Sequence, residues 1–98
     1  METAEDHILK IREKVLVQDF EKESILLNIE TGKYFEINNI GKKIISLIKK
    51  KEHSMKTLIT ELKEQYESEE LEKDVKNFIK SLLDLKILEE RLNIIAPI

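Results

Sequence analysis

With 98 residues, 41% of them hydrophobic and 38% charged, the chain has the size of one small domain and no room for a catalytic domain with a separate lid. It contains no cysteine, which excludes a disulfide framework, a thiolate metal site and a cysteine nucleophile, and its two glycines, Gly32 and Gly41, cannot build a phosphate-cradling loop. A formal net charge of -3 argues against a general nucleic-acid surface, which needs clustered Lys and Arg.

Taken from the N-terminus, "METAEDHILK" lacks the basic-then-apolar order of a signal peptide, so a cytoplasmic protein is expected. Val15 to Phe20 ("VLVQDF") has the β-branched and aromatic content of a first strand, and "EKES" reads as a turn. Strands are expected next over Ile25 to Ile29 and Lys33 to Ile37, joined by a three-residue loop, Glu30, Thr31 and Gly32, with the glycine left-handed. That loop sets Leu27 opposite Phe35 and Ile25 opposite Ile37. The expected core face is therefore Ile25, Leu27, Ile29, Phe35 and Ile37, with Leu26, Asn28, Tyr34 and Glu36 on the other side.

Asn38 suits a helix N-cap, and Ile40, Ile44, Ile45, Leu47 and Ile48 form a helical stripe through about Lys51. Lysines gather at Lys42, Lys43, Lys49, Lys50, Lys51 and Lys56, and read as solvated residues complementing the end of that helix. His53, like His7, has no carboxylate or second histidine at ligand spacing, so no metal site is expected. Ser54 can cap a second helix with the stripe Met55, Leu58, Ile59, Leu62 and Tyr66. A third helix is expected after Ser68, with Glu69 and Glu70 in its first turn and a stripe of Leu71, Val75, Phe78, Ile79, Leu82 and Leu85. "ILEE" after Lys86 reads as a short return strand. The tail Leu92 to Ile98 is apolar, far too short to span a bilayer, and without an assigned role. Three antiparallel strands followed by three helices make an α+β fold of winged-helix type.

The order of these elements carries a resemblance. "ILLNIETGKYFEINNIGKKIISLI" resembles the segment of PqqD-like proteins in which an apolar strand, a turn ending in Gly, an aromatic strand and a helix with an early glycine follow one another. "LEKDVKNFIKSLLDLKIL" looks like the last helix of that family. The likeness runs from about Val15 to Leu88, within a single domain over residues 1–98. Three positions depart from the pattern: Ile37 where Leu is usual, Ile45 where an aromatic is frequent, and Lys86 where Gly often follows the last helix.

The resemblance implies a RiPP recognition element, a non-catalytic module that binds the leader of a ribosomally made precursor peptide. No cofactor is implied. The leader would add as a strand beside Lys33, Tyr34, Phe35, Glu36 and Ile37, in a groove closed by the last helix, for delivery to a separate modifying enzyme or leader peptidase. Phe78 would then form the floor, and Asp74, Asn77 and Ser81, three or four residues apart, would line the wall. Two other classes compete. A winged-helix DNA-binding regulator would need Arg, Asn or Gln towards bases, whereas "MKTLITELKEQYE" and "ELEKDVKNFIKSLL" carry carboxylates and no Arg. A structural or dimerisation domain could use the apolar tail, and oligomeric state is left open.

Overall fold

The computed structural model describes residues 7–91. The chain runs through β1 (Ile8–Ile11), β2 (Val15–Asp19), β3 (Ser24–Asn28), β4 (Tyr34–Ile37), α1 (Asn39–Lys50), β5 (His53–Ser54), α2 (Met55–Lys63), α3 (Leu71–Asp84) and β6 (Leu88–Arg91). The expected three-stranded antiparallel sheet, in the order β2-β3-β4, precedes the three helices. A second small sheet, β5-β1-β6, ties the N-terminal strand to the chain after α3. The return strand was legible in "ILEE". Its partner β1 and the two-residue β5 were not, because a four-residue strand such as "ILKI" carries too little periodicity to be recognised alone.

The helices form where local chemistry directs them. The Asn38 side chain accepts from the Gly41 amide at 3.1 Å and starts α1. Ser54 starts α2 by accepting from the Thr57 amide, and the Thr57 hydroxyl accepts from the Ser54 amide, a reciprocal capping box. α3 begins two residues later than expected, so Glu69 and Glu70 precede it and Glu72 and Asp74 occupy its first turn. The three apolar stripes meet in one cluster with Leu58, Leu62, Ile79 and Leu82 fully enclosed, and Leu26 seals it from the sheet. His53 is buried as well, and burial pushes its pKa below the ordinary value despite the opposing influence of Glu61.

The register of the hairpin differs from expectation. Leu26 pairs with Phe35, Leu27 with Tyr34, Ile25 with Glu36 and Ser24 with Ile37. One residue of slip reverses the faces of a strand. Leu26, Ser24 and Asn28 are therefore buried, Ile25 and Leu27 lie half-buried on the outer face, and Ile29 is 51% exposed. Phe35 and Ile37 face inward as expected, and Lys33 falls outside the strand.

The cause is a loop one residue longer than the one expected. The Asn28 amide donates to the Lys33 carbonyl at 2.9 Å, which leaves Ile29 to Gly32 as a four-residue connection, with Gly32 left-handed at φ 75°. Asn28 holds that loop from inside: its Oδ1 accepts from the amides of Glu30 and Thr31 at 2.9 and 3.1 Å. Its Nδ2 donates to the Lys86 carbonyl at 2.7 Å, across 58 residues of sequence. A buried asparagine with three hydrogen bonds is a satisfied core residue, and it outweighs the simple hydrophobic alternation.

Lys86 itself adopts φ 58°, the left-handed conformation that glycine favours. α3 ends there in a Schellman arrangement: the Lys86 amide donates to the Leu83 carbonyl at 3.1 Å and the Ile87 amide to the Leu82 carbonyl at 2.9 Å, while Ile87 is fully buried. The lysine thus keeps the backbone that a glycine would take there, with Asn28 fastening its carbonyl.

Candidate functional site

β4 pairs only with β3 among the described residues, so its second edge is open. Antiparallel ladders alternate, with backbone groups at every second residue directed to one neighbour. Because Lys33 bonds to Asn28 of β3, Phe35 and Ile37 also direct their backbone groups to β3. Tyr34 and Glu36 then direct theirs to the open edge. Their side chains lie on the outer face, exposed, so the edge offers an unencumbered amide and carbonyl at each of the two positions.

Beneath that edge stands α3. The Phe35 ring meets the Phe78 ring edge-on, with centroids 5.9 Å apart and planes at 71°. Phe78 comes this close to α1 because position 41 has no side chain: a Cβ there would lie 2.8 Å from the Ile37 Cβ and 3.2 Å from the Phe78 Cζ. Glycine is needed here for approach, its φ being unremarkable.

A cleft of about 420 Å³ opens from this junction between the start of α1 and the N-terminal half of α3. Its apolar lining includes Ile40, Ile44, Leu71, Val75 and Phe78, with Tyr66 from the α2–α3 connection, and Asp74 and Glu67 supply carboxylates on its wall. Such a mostly apolar cleft with few polar groups suits side chains of a bound chain.

The expected site residues divide accordingly. Phe35, Ile37, Phe78 and Asp74 are gathered at the junction, and Tyr34 and Glu36 present the edge. Asn77 is exposed on α3, and the Ser81 hydroxyl is engaged locally, donating to the Asn77 carbonyl at 3.0 Å. Lys33 belongs to the hairpin closure, its amide donating to the Thr31 hydroxyl at 3.2 Å. Ile40, Gly41 and Tyr66 were not foreseen as site residues. The 40% exposure of Ile40, a large apolar residue in a helix stripe, appears only once the helix is docked.

Comparison with known proteins is consistent with this geometry. The family model for coenzyme PQQ synthesis protein D (PqqD) matches residues 23–88. Among solved structures, TbiB1 in complex with the TbiA(beta) leader peptide is similar at 26% identity and a TM-score of 0.70, over 82% of this chain and 94% of that one. The lasso peptide synthetase B1 complexed with a leader peptide shares the fold at 22% identity and a TM-score of 0.70, over 83% of this chain and 96% of that one. No curated protein sequence matches significantly.

Proposed function

The chain belongs to the PqqD family, and on that premise we propose that it binds the leader region of a ribosomally synthesised precursor peptide and hands it to a separate modifying enzyme or leader peptidase. It does so without catalysing a reaction. The observation that carries this reading is the open β4 edge, with the backbone groups of Tyr34 and Glu36 directed outward above an apolar cleft. A leader strand laid there gains ladder hydrogen bonds from the edge and buries alternate side chains between β4 and α3.

Magnitudes divide the labour. Four backbone hydrogen bonds contribute about 0.5–1.5 kcal/mol each, and ordering a flexible peptide costs roughly 2–5 kcal/mol or more. These nearly cancel. Affinity therefore rests on apolar anchors, each contributing about 1.5–3 kcal/mol when fully buried, and the cleft beside Phe78 is where they go.

The test is an amide-resolved NMR and hydrogen-exchange titration with the leader half of a precursor encoded beside the gene. Saturable shifts at β4 and α3 are expected, with new exchange protection at the Tyr34 and Glu36 amides. Glu36→Pro deletes one outward amide at an edge, where proline is tolerated, and should weaken leader binding roughly two- to tenfold while the protein stays folded. Full affinity in that variant, or protection located elsewhere, would remove strand addition to β4; a parallel titration with duplex DNA supplies the control for the competing class.

A further inference from the structure

A second cleft runs along α1 and meets the first at Tyr66, which lines both. It measures about 640 Å³ and is floored by Val17, Ile37, Ile45 and Tyr66. Its rim is basic. Lys42 and Lys43 stand on one turn of α1 and Lys49 and Lys50 two turns further on, about 10 Å along the axis. The carboxylate on the opposite rim, Asp19, is occupied by the Ser24 hydroxyl.

Two observations set this rim apart from ordinary solvated lysines. α1 carries no acidic residue at all, so its lysines have no carboxylate partner within the helix, and Glu52, three residues beyond Lys49, pairs with Arg91 instead. Among the described residues none of the four makes an ion pair, whereas Arg12, His7 and Arg91 face Glu89, Glu90 and Glu52. The helix dipole explains only half of the set: it favours Lys49 and Lys50 in the last turn but opposes Lys42 and Lys43 near the first. A protein with a net charge of -3 thus concentrates four cations around an apolar hollow, two of them where the helix dipole opposes them, and among the described residues only Lys42 of the four has a protein hydrogen-bond partner, the Phe20 carbonyl at 3.0 Å.

We propose that this cleft docks an acidic, apolar-bearing segment of the enzyme that receives the leader. Complementary charge would steer the encounter and fix its register, and the apolar floor would hold one or two side chains of that segment. None of the four rim lysines lines the leader cleft, although Tyr66 borders both, so an enzyme held by that rim and a leader on the β4 edge bind at the same time, as a delivery module requires. The inference rests on the leader-binding reading for the identity of the partner, and on the cleft alone for its chemistry.

The experiment measures, by calorimetry, the affinity of the full-length protein for the modifying enzyme or leader peptidase encoded beside its gene, and separately for the leader peptide. Lys43→Glu/Lys49→Glu should weaken enzyme binding at least tenfold and leave leader affinity within twofold, with an unchanged melting temperature. Lys43→Arg/Lys49→Arg should bind the enzyme as the wild type does. Raising the salt from 50 to 300 mM should weaken the wild-type complex and scarcely affect the reversed variant. Equal enzyme affinity in the charge-reversed variant overturns the proposal, and so does an enzyme that does not bind the wild type. If the wild type takes the enzyme in this charge-dependent way but not the leader, the function assigned to the β4 groove falls and the basic docking cleft stands.

Discussion

The two faces of β3 have compositions opposite to their environments, whereas β4 turns Phe35 and Ile37 inward and Glu36 outward. On β3 the buried face carries Ser24, Leu26 and Asn28, one hydrocarbon between two polar residues, while the outer face carries Ile25 and Leu27, continued by Ile29 in the loop. Across the sheet, Leu16 at 57% and Tyr34 at 61% exposure complete an outer apolar row with Leu27. The difference teaches that face selection in a short strand is not a count of hydrophobic side chains. Asn28 can satisfy all its polar atoms only when it points inward, where two loop amides and the Lys86 carbonyl await it.

Substitutions across the two faces would break this comparison most directly. Leu26→Ala should cost about 2–5 kcal/mol of unfolding free energy and Leu27→Ala less than about 1 kcal/mol. Urea denaturation of the pair measures it, and equal losses would mean that the faces are not distinguished by packing. Asn28→Ala comes next. It strips two amides and one carbonyl of their partner, for an expected loss of about 2–3 kcal/mol, together with faster hydrogen exchange at Glu30 and Thr31. The smallest effect sharpens the account: Lys86→Gly relieves a left-handed lysine and should raise stability by about 0.5–1 kcal/mol. Combined with Asn28→Ala, that gain should differ from its value alone, because Asn28 holds the carbonyl of residue 86.

Legibility followed the range of the interaction. Asn38 and Ser54 could be read as caps because each bonds to an amide three residues away. The helix stripes were legible for the same reason, since 3.6-residue periodicity places its own members together. The groove was only partly so. Phe35, Phe78 and Asp74 came from the resemblance and lie together, yet the approach through Gly41, the contribution of Ile40 and Tyr66, and the outward direction of the Tyr34 and Glu36 backbone required the packed structure.

By itself the sequence determined where α1 and α2 start, which helix stripes turn inward, and that a glycine closes the hairpin, because these depend on neighbours within one turn of chain. Tertiary structure decided the hairpin register, the pairing of β1 with β5 and β6, and the left-handed end of α3. Each of those depends on partners far apart along the chain, as when Asn28 meets Lys86, and no local pattern encodes a hydrogen bond formed across 58 residues.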